Sequence, residues 1–226
     1  EFHRAYSVEI PIFRIPNWVD PGHLNEVRAS GFRQERGWGE GTSVAYIPSA
    51  GSEIKGKRYV FELVRRLSSA TGAGFRFFLS GPIPDDLRHE FEKSGLGGKV
   101  YAPGALPWAD NLGCVKACDL GISPSLADNY SMAIVEGMAA GIPFVAFDTG
   151  GIGELIRNGE DGWIVPYLDV EALVAKAIEI VTDTNCLQVL GKGAAERMAL
   201  RLNAEAVLSL YQAMFEQLAC PKEIKH

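Results

Sequence analysis

The fold is decided by Ser123-Pro124-Ser125-Leu126-Ala127-Asp128-Asn129-Tyr130-Ser131-Met132-Ala133-Ile134-Val135-Glu136-Gly137-Met138-Ala139-Ala140-Gly141. A short polar loop runs into a stretch of small and apolar residues, with one carboxylate, Glu136, set inside it. A lone carboxylate in such surroundings is costly unless something hydrogen-bonds it. Asp128 and Asn129 stand where a helix takes its N-cap. A helix starting near Ser131 aims its free N–H groups and positive dipole end out of the loop, ready for an anion.

On either side of this stretch, strand-like and helix-like runs alternate. The strand-like runs cover 43–47, 75–80, 99–101, 119–123, 143–147 and 163–165. Between them, Tyr59, Val60, Leu63, Val64 and Leu67 share a helical face, as do Leu87 and Phe91, and Trp108, Leu112, Val115 and Cys118. Val170, Leu173, Val174, Ala177, Ile178 and Val181 keep near-ideal 3.6-residue spacing. Such alternation predicts an α/β, doubly wound parallel sheet, Rossmann-like, with ligands bound beyond the carboxyl ends of the strands. Residues 1–20 read as an extended lead-in or interdomain segment, where Val8, Ile10, Ile12, Phe13 and Ile15 are interrupted by Pro11 and Pro16. A polar, glycine-bearing segment follows to Gly41. Two helices close the chain, the last with Val207, Leu208, Tyr211, Met214, Phe215 and Leu218 on one face. The expected division is therefore a domain over 21–200 and a terminal helix over 201–226, packed on this domain or on another.

Composition narrows the classes. At 226 residues, 47% hydrophobic and 22% charged, the chain has the make-up of a globular protein. A net charge of −6 argues against a general nucleic-acid or anionic-membrane surface, though not against a local anion site. No apolar run nears a membrane span and no signal-peptide pattern opens the chain. Cys114 and Cys118 at i,i+4, with Cys186 and Cys220 distant, read as buried thiols in a reducing, cytoplasmic setting rather than a metal or redox pair. His3, His23, His89 and His226 read as solvated, and Asp85-Asp86 as first-turn helix charges, so no metal site is expected.

Three loops leave carboxyl ends of strands and are candidates to meet in one crevice. Pro48–Gly56 is small-residue-rich and carries Lys55, a point charge for phosphate or an ordinary surface lysine; GxxxxGK[ST] is absent. Ser80-Gly81-Pro82 reads as a close-approach turn. The third is the stretch quoted above. Asp128 and Glu136 are eight residues apart, at most ~12 Å at ~1.5 Å per residue. That matches the reach from sugar to ribose in a nucleoside diphosphate sugar. For Glu136 the plainer alternative is burial against an arginine or backbone amide; for Asp128 it is a cap. Thr149-Gly150-Gly151-Ile152-Gly153 lacks the dinucleotide GxGxxG and reads as a tight strand-to-helix turn lining the same crevice.

These segments resemble a known family. Pro124-Ser125, Asp128–Met132, Glu136-Gly137-Met138-Ala139-Ala140-Gly141-Ile142-Pro143, Thr149-Gly150-Gly151 and Asn158-Gly159-Glu160-Asp161-Gly162 together are similar to the donor half of the group 1 retaining glycosyltransferases of the GT-B fold. Asn17–Asp20 resembles that family's passage into its C-terminal domain, and the likeness spans about residues 15–182. By that resemblance, Asp128 would hold donor-sugar hydroxyls and Glu136 the ribose diol. Asn129, Tyr130, Ser131 and Met132 would offer amides to the diphosphate and sugar, and Lys55 would neutralise the diphosphate. The nucleobase would lie near Ala105 and Leu106, and Gly81 of the close-approach turn is a further donor-binding candidate. The implied donor is a UDP- or GDP-linked sugar, with no cofactor and no metal.

The departures are specific. Ser49 stands where an arginine is usual, Asp128 where a glutamate is, and Ser131 and Trp18 where glycines are. The family's N-terminal acceptor domain is absent, which implies an excised C-terminal half or a chain that pairs with a separate subunit. The expectation is a donor-binding domain for sugar transfer to an acceptor hydroxyl. The alternatives are a non-catalytic nucleotide-sugar-binding subunit or a GT-B nucleotide-sugar epimerase.

Overall fold

The computed structural model describes residues 11–39, 41–70, 74–201 and 204–219. The expectations for Val8, Ile10, His3, His226 and Cys220 lie outside the described residues. After two short helices, α1 (Pro21–Glu26) and α2 (Phe32–Glu35), the chain alternates: β1 (Val44–Ile47), α3 (Lys57–Ser68), β2 (Arg76–Leu79), α4 (Asp85–Lys93), β3 (Val100–Tyr101), α5 (Trp108–Lys116), β4 (Leu120–Ser123), α6 (Met132–Ala139), β5 (Phe144–Phe147), α7 (Ile152–Leu155) and β6 (Gly162–Val165). Three helices follow: α8 (Val170–Thr182), α9 (Thr184–Arg201) and α10 (Ala204–Ala219). All six expected strands form one parallel sheet in the order β3-β2-β1-β4-β5-β6. The order reverses between β1 and β4, so the loops leaving those two strands flank the sheet's switch-point crevice.

Both sheet faces are buried, so the strands read as continuous apolar runs. Their residues still divide by the two-residue period. Ala45, Ile47, Phe77, Leu79, Val145 and Phe147 pack in one core with α3 and α8. Val44, Tyr46, Phe78, Phe144 and Ala146 pack in the other with α5 and α6. Tyr46 stacks on Phe78 at a centroid distance of 5.5 Å and meets Phe144 edge-on at 6.1 Å. The face expected on α3 is buried through Val60, Leu63, Val64 and Leu67. The Asp169 carboxylate caps α8 by accepting from Ala172 N at 2.8 Å.

Several expectations change. Residues 11–20 form no strand; Pro11 and Pro16 remove the donors a ladder needs. The polar segment before β1 instead contains α1 and α2, and buries Leu24, Phe32 and Trp38. His23, which its polar neighbourhood predicts in a loop, lies on α1. Cys114 and Cys118 are buried free thiols, their pKa values pushed up first by burial. On α10 only Val207 is buried; Leu208, Tyr211, Phe215 and Leu218 face solvent. No helix among the described residues is long and apolar enough to cross a membrane.

One buried ion cluster ties α9 to the sheet. Asp161 is fully buried and accepts from Arg157 N at 2.6 Å, Arg157 Nε at 2.9 Å and Arg197 at 2.8 Å. Arg197 is 13% exposed and depends on this carboxylate for its ion pair, whereas Arg157 is 49% exposed and also pairs with Glu160. Asp161→Ala is therefore expected to cost about 1–3 kcal/mol of stability, from leaving the Arg197 guanidinium and the Arg157 backbone N–H without this partner, read as a lower urea midpoint. A loss below about 1 kcal/mol would mean the arginines are solvated in practice.

Candidate functional site

The crevice is built by backbone contacts that only small residues permit. Gly56 closes the loop after β1 with φ +87°, and a Cβ there would sit 2.0 Å from Pro124 O. The neighbouring loop is stitched on by Leu126 N, which donates to Ile54 O at 2.8 Å. From the other side Gly151 N donates to Asp128 O at 3.0 Å, and a Cβ on Gly151 would lie 1.9 Å from Asn129 O. The Gly150-Gly151 turn thus supports the Asp128–Tyr130 backbone, as its reading as a tight turn on the crevice anticipates. The Thr149 and Tyr167 hydroxyls both donate to Leu126 O, at 3.1 and 3.0 Å.

Into this frame come the charges. Lys55 Nζ donates to Asp128 Oδ2 at 2.7 Å; the aspartate side chain is 8% exposed and the lysine 33%. Asp128 is therefore not a helix cap. The cap position of α6 falls on Ser131, itself buried and making no side-chain capping bond. A cation within reach outcompetes a local amide for a nearly buried carboxylate. Lys55 is not an ordinary surface lysine for the same reason. Val135 is the first residue of α6 whose N–H finds an acceptor within the helix, Ser131 O at 3.0 Å. The preceding N–H groups point into the loop that carries Asp128, Asn129 and Tyr130.

Glu136, half-buried on α6, meets neither an arginine nor a backbone amide. Its Oε1 accepts from the indole N–H of Trp108 at 3.0 Å. Trp108 was expected on the buried face of α5. It is instead 42% exposed, because it is the first residue of the helix, directly after Pro107 at the cap. Beneath the pair, the buried Tyr46 phenol is pushed up to about 12, mainly by burial with the Glu136 charge adding to it. Leu106 joins Trp108 and Tyr101 along a groove of about 650 Å³. Gly81, at the end of β2, pairs with Gly104 in an antiparallel bridge. Ser49, at the place of the usual arginine, takes a left-handed φ of +48° and donates its N–H to Ser80 Oγ.

Burial raises the Glu136 pKa above its ordinary 4.5, with the Trp108 N–H opposing. A folded-state value above the unfolded one makes the folded protein the better proton binder, so raising the pH through it costs stability. Glu136→Gln is accordingly expected to melt at a higher temperature than the parent at neutral pH. The difference should vanish below the ordinary carboxylate range. An equal gap at both ends would mean the carboxylate is not destabilised by its surroundings.

The fold and crevice have counterparts. Residues 31–197 match the family model described as glycosyl transferases group 1. The Salmonella typhimurium protein provisionally named colanic acid biosynthesis glycosyltransferase WcaL is 31% identical over 165 residues, covering 69% of this chain and 40% of its own. Among solved structures, sucrose-phosphate synthase from Thermosynechococcus elongatus superposes with a TM-score of 0.76 at 22% identity, over 96% of this chain and 55% of that one. Anabaena HepE, solved in complex with UDP and glucose, gives 0.73 at 23% identity, over 91% and 56%. The chain thus spans about half, or less, of the length of the proteins it matches, and the structural likenesses speak for the fold alone. With the parallel sheet, the crevice and a family match over most of its length, the chain belongs to the group 1 glycosyltransferases of the GT-B fold.

Proposed function

We propose that the chain is the nucleotide-sugar-binding half of a retaining, metal-independent glycosyltransferase that moves a sugar from a nucleoside diphosphate to an acceptor hydroxyl. The observation that carries this is the Lys55–Asp128 pair at 2.7 Å beside the open first turn of α6, with Glu136 farther along the same helix. The turn and the ammonium together offer a positive pole for a diphosphate. Asp128 has oxygens to share with sugar hydroxyls, and Glu136 can accept from a ribose diol. Lys55 and the α6 tip would stabilise the departing diphosphate, a fixed electrostatic role needing no metal. UDP and GDP are the favoured nucleotides, and Leu106 and Gly81 would border the base. The exposed apolar side chains of α10 suit contact with an acceptor domain or separate subunit outside the chain.

Titration of the chain with UDP, GDP and ADP in the presence of a chelator tests this reading. Saturable binding of at least one, insensitive to added Mg²⁺, is expected. Absence of binding by all three contradicts it.

A further inference from the structure

Trp108 occupies an unusual place for its type. Large aromatic side chains bury their rings, and a tryptophan placed at helical spacing with Leu112 and Val115 has core to enter. The residue is 42% exposed, while the one polar atom of its side chain reaches across to the neighbouring helix, 28 positions on, to meet Glu136 Oε1 at 3.0 Å. Among the described residues the Glu136 carboxylate has no other hydrogen bond and no ion pair, so it is oriented by this one donor.

We propose that Trp108 is a positioning residue of the donor site: its indole N–H holds Oε1 of Glu136 and presents Oε2 to the ribose diol of the nucleotide. This rests on the reading of Glu136 given above. The chemistry favours an indole in that role. An ionised carboxylate has about four lone-pair sites. Tryptophan donates once, carries no charge and accepts nothing, so it fixes the rotamer while leaving the charge and the other sites for hydroxyl donors. A lysine or arginine would orient the group too, but would compete with the diol and neutralise the charge. The same ring walls the groove that Leu106 and Tyr101 share, so the residue that holds Glu136 also borders open space beside it.

The test compares UDP, GDP and ADP with their 2′,3′-dideoxy counterparts on the parent chain, Trp108→Phe, Trp108→His, Glu136→Gln and the double variant Trp108→Phe/Glu136→Gln. Melting temperatures are recorded alongside. The parent should prefer the ribonucleotide. Trp108→Phe should weaken that ribonucleotide about tenfold and leave the dideoxy affinity unchanged, Trp108→His should recover part of the loss, and the double variant should be no worse than Glu136→Gln. If Trp108→Phe weakens both nucleotides alike, or leaves the ribose preference intact while Glu136→Gln removes it, the positioning role is wrong and the donor reading stands. If the parent binds none of the nucleotides, both fall together.

Discussion

On the proposed sugar transfer, Lys55→Ala in a protein that joins this chain to an acceptor domain is expected to lower kcat by about 10²–10³-fold, the usual consequence of removing one fixed stabiliser of transition-state charge. The loss should be larger in kcat than in nucleotide affinity, because negative charge on the diphosphate grows as the sugar leaves. The substitution also strands Asp128, whose side chain is only 8% exposed. An unpaired buried carboxylate is destabilising in its own right. Asp128→Asn on the Lys55→Ala background should therefore restore stability, which measures the structural part of the ion pair. A stable Lys55→Ala protein with full turnover would remove Lys55 from the reaction.

The second large effect falls on Glu136. Hydrogen bonds to a charged group contribute about 1.5–3 kcal/mol each, and a diol can make two. Glu136→Ala should then weaken nucleoside diphosphate binding by about 10²-fold or more. The penalty should disappear for a nucleotide lacking both ribose hydroxyls. Calorimetric titration of both nucleotides against both proteins measures this directly. An equal loss for the two nucleotides would show that the substitution acts through the fold of α6, not through the diol.

The sheet was legible because its physics is local. Each strand is a short apolar run, each intervening helix has its own 3.6-residue face, and alternation leaves few topologies open. The segment before β1 was not legible. Its polar, glycine-bearing composition conceals Phe32 and Trp38, which are core residues only because α2 folds onto Tyr101 and Phe78. Trp108 misled for the opposite reason. Its spacing with Leu112 and Val115 is a core pattern, and Pro107 immediately before it was the signal that it opens the helix. The loops that hold Lys55 and Asp128 could be named from sequence. Their ion pair joins residues 73 apart, and the Trp108–Glu136 bond spans 28. Pairings at such distances follow from the order in which strands enter the sheet, which periodicity does not encode. The reading of Asp128 as a cap failed on that point.

On the proposed reading, two carboxylates grip the two ends of one activated sugar across the tip of α6. A crystal structure of the chain with a nucleoside diphosphate sugar measures this most directly. It should place Glu136 Oε2 within hydrogen-bond distance of a ribose hydroxyl, Asp128 against a sugar hydroxyl, and the diphosphate between Lys55 Nζ and the first-turn N–H groups of α6. A nucleotide seated elsewhere, or one whose ribose leaves Glu136 untouched, would contradict it.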